Sequence, residues 1–519
     1  MHLLEASLTQ MKNYPTPKPL LLLFTLAVVF SCNNASAQVF STLHSFTALI
    51  NNTNSDGADP LANLTLSGNT LYGTAFEGGS SGFGTVFAVN TDGKGFTNLY
   101  NFASAGFLPY TNSGGAYPEA GLILSGNILY GTAAGGGTNA SGTVFAINTN
   151  GACFTTLSDF SPVSINYADN SYFTNIDGAS PNALILSGNI LYGTAEEGGT
   201  NGNGTVFAIN TNGAGFTILH TFTGIFSDND GNNPFAGLIL SGNTLYGTAL
   251  YGGTNNCGTV FALNTNGTGF VTLHNFGQRN YNSSIGSYTN SDGASPNALI
   301  LSSNILYGTT RSAGNSGNGT VFALNTNGMG FTILYSFTAN SVNSDGANPS
   351  AGLILSGNTL YGTAIYGGSG GEGTVFAINT DGTGFTNLHS FTATGLTGTN
   401  SDGANPFGGL ILSGNSLYGT ARNGGVVGNG TVFSLVLPQV VTPPVIPPTL
   451  TLQFWSGYPL LSLYGTLGDT YTVEYTANLA VPNWTPMLIV PNLSVSPFQM
   501  IDSAGVGQSA RFYRAVQSQ

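Results

Sequence analysis

The stretch Ala351–Thr392 reads AGLILSGNTLYGTAIYGGSGGEGTVFAINTDGTGFTNLHSFT and holds four apolar runs: Gly352–Leu355, Thr359–Ala364, Thr374–Asn379 and Phe385–Phe391. Ser356-Gly357-Asn358 separates the first two, and Asn379-Thr380-Asp381-Gly382 separates the last two. Gly and Asn tolerate the positive φ of tight hairpin turns, so both joints read as β-hairpins. The runs are too short for helices and rich in Thr, Val, Phe and Tyr, which favour a pleated surface. One unit is a four-stranded antiparallel meander. It cannot bury both of its faces alone and needs neighbours of its own kind.

The chain supplies them. The Tyr of Leu-Tyr-Gly-Thr recurs at Tyr72, Tyr130, Tyr192, Tyr246, Tyr307, Tyr361 and Tyr418, and Thr-Val-Phe follows each one. The fourth run, commonly Phe-Thr-x-Leu-x-x-Phe, starts at Phe96, Phe154, Phe216, Phe270, Phe331 and Phe385, but no copy follows Phe433. The missing copy stands at the other end, as Phe40–Phe46. A ring accounts for that displacement, because the first strand then closes the last blade; a linear solenoid has no use for it. The expected fold is all-β: a seven-bladed β-propeller over residues 38–437, with four-stranded blades and N-terminal strand closure.

Outside the repeats the composition changes. Residues 1–37 read as an upstream extension and an export signal starting at Met11, with Lys12 and Lys18, the apolar run Leu20–Phe30, and Ala35-Ser36-Ala37 before the cleavage point. Eleven apolar residues do not span a bilayer, so no transmembrane segment is expected. Acylation at Cys32 is the alternative to ordinary cleavage. Residues 438–449 form a Pro-rich linker, and 450–519 a small β-rich domain with period-two runs at Thr470–Tyr475 and Ala510–Val516. Trp484 reads as a core residue of that domain. Cys153 and Cys257 fall at opposite ends of the propeller strands, so they are expected to be free thiols.

The composition is acidic: 21 Asp and Glu against 8 Lys and Arg, a formal charge of −13. A field of that sign repels phosphate backbones, which excludes nucleic acid as a partner. The 75 glycines recur at fixed turn positions and argue for ordered repeats rather than low complexity.

The repeat resembles the GloVer-type tandem repeats of bacterial exported proteins, through LILSGNTLYGTAxxGG, GTVFAINTDGTGF and the SDGAxP lead-in. The C-terminal pattern YTVEYTANL–NW–D–RFYR resembles small β-sandwich modules of exported proteins. The resemblance implies an exported, surface-associated repeat protein and carries no activity with it.

No nucleophile elbow, zinc spacing or phosphate-binding loop appears, and no cofactor is expected. The lead-in aspartates Asp56, Asp177, Asp230, Asp292, Asp345 and Asp402 are too widely spaced for a calcium loop and read as Asx-turn formers; only Asp228-Asn229-Asp230-Gly231 approaches a calcium pattern. His44, His220, His274 and His389 occupy one repeat position and belong to the scaffold. The functional signal is a pair of residues after Gly-Thr-Ala that varies while its surroundings hold. It supplies the expected ligand-binding residues Glu77, Glu196, Glu197, Tyr251, Arg311, Tyr366 and Arg422. The adjacent Glu196 and Glu197 are expected to repel and face solvent. Such residues suit a glycan or peptide. The reading is a monomeric, exported, non-catalytic binding or cell-surface scaffold protein; the alternative is an exported polysaccharide-acting enzyme with its site on the same face.

Overall fold

The structure is a computed structural model and describes residues 38–103, 111–166, 171–224, 229–338, 343–438, 448–506, 508 and 510–517. The export signal with Cys32, Asp228 of the calcium-like stretch, and most of the Pro-rich linker lie outside the described residues. The chain divides into two compact units, the larger running from Ala37 to Pro438.

The larger unit is an all-β propeller. In Ala351–Thr392 the strands are Ile354–Ser356, Thr359–Ala364, Thr374–Asn379 and Thr386–Ser390, paired antiparallel in chain order. Among the described residues, seven repeat sheets follow this plan, and we number them in chain order from the one that contains Tyr72. The second and third strands of each sheet are buried through most of their length, as Leu71–Ala75 and Thr85–Val89 illustrate. Sheets stacked on both faces bury both side-chain rows, so these strands read as continuous apolar runs without alternation.

Closure takes two forms. Phe40 pairs with Leu435 and Ser45 with Thr431, so the strand Val39–Ser45 completes the sheet whose other strands end the propeller. The threonine of Leu-Tyr-Gly-Thr also bonds across each inter-sheet gap. Thr74 Oγ1 donates to the Ala120 carbonyl, Thr132 to Asn182, Thr194 to Ala236, Thr248 to Asn297, Thr309 to Ala351 and Thr363 to Gly408. Thr420 of the last sheet then donates to Ala62 of the first at 2.9 Å, which closes the circuit. These hydroxyls are buried, and a buried hydroxyl without a partner is costly. The recurrence of this threonine is thus explained by the ring.

The glycine before that threonine has a packing reason. A Cβ on Gly193 would lie 2.5 Å from Cζ of Phe207, the buried phenylalanine of the neighbouring strand. Any side chain there expels the ring that fills the sheet interface.

The lead-in aspartates differ from expectation. Asn54, not Asp56, makes the local turn: its Oδ1 accepts from the Gly57 and Gly79 amides, and its Nδ2 donates to the Thr47 and Gly57 carbonyls. Asp56 reaches back to the preceding fourth strand, accepting from the Thr47 amide and hydroxyl and meeting His44. Both jobs are structural. The Asp-to-strand bond is long in sequence terms and invisible to a local turn rule.

The second unit places Thr449–Trp455, Tyr458–Tyr464 and Phe498–Ile501 in one three-stranded sheet, and Thr485–Val490, Tyr471–Thr476 and Phe512–Gln517 in another. Leu461, Leu463, Tyr471, Val473 and Met500 form its core. Trp484 is not in that core: it is half-buried, with the Arg514 guanidinium 4.4 Å above its ring. Its polar indole edge and the nearby cation favour a partly wet site over an apolar interior.

Candidate ligand-binding face

The two variable residues after Gly-Thr-Ala do not form a free loop tip. The second of each pair is backbone-paired with the lead-in of its own sheet: Glu77 with Ala58, Glu197 with Ala179, Tyr251 with Asn232, Ser312 with Ala294, Tyr366 with Ala347 and Asn423 with Ala404. The strand simply continues, and in two sheets its named extent includes the pair, as Ile190–Glu197 and Ile305–Ser312. Successive side chains along an extended segment point to opposite sides. The predicted site residues are therefore sorted into two groups.

Two first-position side chains meet the lead-in of the following sheet, Phe76 against Tyr117 and Arg422 against Asp59. Arg422 places Nε and Nη2 each 3.2 Å from Asp59 Oδ2. Burial pushes the Asp59 carboxyl up despite this bridge, and burial followed by repulsion from Asp59 does the same to Glu77. The Arg311 guanidinium sits 6.0 Å from the Phe407 ring. Ile365 is buried. Of the second-position residues, Tyr251 and Tyr366 are exposed by 42% and 49%. The seven predicted residues thus share one end of the propeller without converging on one point.

Glu196 departs most from expectation. It does not stand in solvent beside Glu197; it is half-buried and interacts with Glu119, a residue outside the predicted set. Burial, then repulsion from Glu119 and Glu197, pushes the Glu196 carboxyl up to about 7. Burial, then Glu197, pushes Glu119 up to about 7 as well. Every influence on these two carboxyls disfavours the charged form.

Glu119 belongs to a ring that the loop comparison passed over. Each lead-in ends in a proline, and the next residue lines the axial channel: Leu61, Glu119, Asn182, Phe235, Asn297, Ser350 and Phe407. The cavity there holds about 310 Å³. The residue before each proline adopts the left-handed conformation without being glycine. Asp59, Tyr117, Ser180, Asn233, Ser295, Asn348 and Asn405 all have φ between 52° and 59°. Such backbone is disfavoured for side-chain-bearing residues and persists where surrounding contacts impose it. The signal was present in the sequence as a post-proline position that changes chemistry while Ala-Leu-Ile-Leu-like flanks stay constant. It was masked because the lead-in reads as scaffold.

The opposite end carries the two constant turns, which contact each other; the Thr91 amide, for example, donates to the Asn69 carbonyl. Lys94 is there, with a side chain 84% exposed beside Asp92. Among the described residues, no group of three or more His, Cys, Asp and Glu side chains converges on a metal-sized site, and no helix is long and apolar enough to cross a membrane.

The family model of the Gloeobacter/Verrucomicrobia repeat matches residues 24–172, 164–295 and 285–443. No curated protein matches the chain. Among solved structures, the puromycin-hydrolyzing peptidase of Mycobacterium tuberculosis is 11% identical, with a TM-score of 0.45 over 80% of this chain and 61% of that one. The β-propeller domain of the trilobed protease of Pyrococcus furiosus is 6% identical, with a TM-score of 0.38 over 73% and 95%. A PL25 ulvan lyase is 10% identical, with a TM-score of 0.39 over 75% and 95%.

Proposed function

Because the chain belongs to the Gloeobacter/Verrucomicrobia repeat family, we propose that it is an exported β-propeller binding protein that holds a polar ligand, a glycan or a peptide, at the channel mouth of its variable face. The signal-like segment before Gln38 supports export. One observation carries the binding role: two separately variable positions, one after Gly-Thr-Ala and one after the lead-in proline, meet at the same end of the channel. Glu196 interacts with Glu119, and Arg311 reaches over Phe407. A scaffold with no ligand has no reason to vary polar chemistry at both positions of one end while holding the opposite turns constant.

A second reading has its own observation. Two carboxyls pushed up to about 7 by burial and neighbouring carboxyls suit general-acid chemistry near neutral pH, which supports the polysaccharide-acting enzyme. A glycan and peptide array, with product release followed on the bound glycans, separates the two. The binding reading expects retention without product. Turnover that stops in Glu119→Gln supports the enzyme instead.

A further inference from the structure

A second pocket lies apart from the axial channel. The connection from the fourth sheet to the fifth carries a hairpin, Asn280–Asn282 paired with Ser287–Thr289. Its Ser287 packs against Gly317 in the Gly-rich loop of the fifth sheet. Gln278, Arg279 and Tyr288 line a cavity of about 410 Å³ together with Asn255, Asn256 and Cys257, from the corresponding loop of the fourth sheet. None of these residues lines the axial cavity. Tyr281 and Tyr288 are cross-strand partners with ring centroids 5.3 Å apart, and both are exposed, by 61% and 56%. Side chains alternate along extended chain, so Arg279, two residues before Tyr281, falls on the same face as both rings.

Arg279 is half-buried, and among the described residues its guanidinium has no ion pair, hydrogen bond or ring contact. The other Lys and Arg side chains of the propeller are engaged: Lys94 with Asp92, Arg422 with Asp59 and Arg311 beside Phe407. The carboxylate nearest in sequence, Asp292, is taken by His274 and the Gly277 amide. The surroundings are also short of acid. Residues 231–344 hold two arginines, Arg279 and Arg311, against one acid, Asp292, although the whole chain carries −13. At physiological salt, exposed charges farther away than about 8 Å are largely screened, so the guanidinium sets the sign of this pocket.

We infer that this pocket binds an anionic sugar residue of a glycan, a uronic acid or a sulfated sugar. The Arg279 fork offers paired N–H donors to the oxyanion. The exposed tyrosine rings take the apolar C–H face of the sugar, and their hydroxyls its polar edge. The Gly252 amide donates to Asn256 Oδ1, and Asn255 Nδ2 donates to the Phe276 carbonyl. These bonds fix both side chains and leave Nδ2 of Asn256 and Oδ1 of Asn255 for ring hydroxyls. A small inorganic anion would use the arginine without the rings, and a neutral glycan the rings without the arginine. The cavity is the size of an ordinary small-ligand site.

Titration calorimetry on the full chain tests this with tetragalacturonate, a sulfated galactose tetramer, the methyl-esterified and desulfated forms of each, and tetraglutamate. At least one anionic sugar should bind, and removing its charge should weaken it at least tenfold. Arg279→Gln should also weaken it at least tenfold at an unchanged melting temperature, because the guanidinium holds nothing in the fold. Arg279→Lys keeps the charge without the fork and should recover only part of the affinity. Tyr288→Ala should cost several-fold, and Lys94→Ala, in a constant turn, should change nothing. Binding of the uronate, the sulfated sugar or both supports the inference and identifies the anion. Silence of both, equal binding of the uncharged forms, or full binding by Arg279→Gln overturns it. Binding of tetraglutamate with the sugars silent overturns the sugar assignment. None of these outcomes decides the channel mouth, which shares no residue with this pocket.

Discussion

Nε2 of His44 lies 2.9 Å from Oδ2 of Asp56, while the His44 ring stacks 3.7 Å from the ring of Phe96 in the first sheet. The last sheet's closing strand is thereby latched to the first. The same arrangement recurs as His220 with Asp230 and Phe270, His274 with Asp292 and Phe331, and His389 with Asp402. Where tyrosine replaces histidine at Tyr335, its hydroxyl bonds Asp345 at 2.7 Å. Where the lead-in has Gly114 in place of Asp, a Cβ there would sit 2.8 Å from the Tyr100 hydroxyl. Tyr335 keeps an aspartate partner, and only at Tyr100 with Gly114 do the latch and lead-in positions both change.

Acid should open these latches. Burial alone would raise the Asp56, Asp230 and Asp402 carboxyls, but hydrogen bonds from the histidines and from Thr47, Thr223 and Thr392 outweigh it and hold all three below the ordinary range. A depressed folded pKa means stability that is complete above the unfolded value, near 4, and is lost as pH falls through the folded value. Asp402→Asn should therefore lower stability at pH 7 by on the order of 1–3 kcal/mol. That gap should narrow steadily in melting curves recorded below pH 4. A gap independent of pH would separate the latch from carboxylate charge.

Removing residues 38–46 should expose the Thr431–Val436 strand, whose outer edge the N-terminal strand covers. Hydrogen exchange should then show fast exchange in the last sheet while the third and fourth sheets keep their protection. Native-like protection of Thr431–Val436 in the truncated chain would refute closure.

Cys153 is exposed in a constant turn and Cys257 is buried; both are free. A maleimide probe should label Cys153 in the native protein within minutes, and Cys257 only on unfolding. Native labelling of Cys257 at a comparable rate would contradict the packing of its loop.

Gly193→Ala should destabilise by about 1–3 kcal/mol, the usual range for overpacking, since its Cβ would meet Phe207. Gly188→Ala, at a turn where a Cβ meets nothing within 4 Å, should be milder and reflect only its φ of +58°. Equal melting temperatures for the two variants would show that the sheet interface yields.

The repeat strands were legible almost to the residue: Thr359–Ala364 and Thr374–Asn379 match their predicted bounds, because strict repetition averages out local ambiguity. Closure by Phe40–Phe46 was legible from the displaced copy. What the residues could not convey was long-range contact. Glu196 was expected to face solvent because its nearest chain neighbour is Glu197, yet the ring brings Glu119 to it from the sheet before. Asp56 was expected to bond its own turn, and its partners lie at the end of the preceding strand. Arg422 was taken for a ligand donor, and Asp59, distant in sequence but adjacent around the ring, already holds it.

The most direct test of the central claim is differential hydrogen exchange with the strongest ligand from the array. Binding at the channel mouth should slow exchange in 58–63, 116–121 and 194–198, and leave the constant turns at 90–95 and 210–215 unchanged. Protection confined to those turns, or spread over the outer fourth strands with the mouth unaffected, would place the ligand elsewhere and contradict the account.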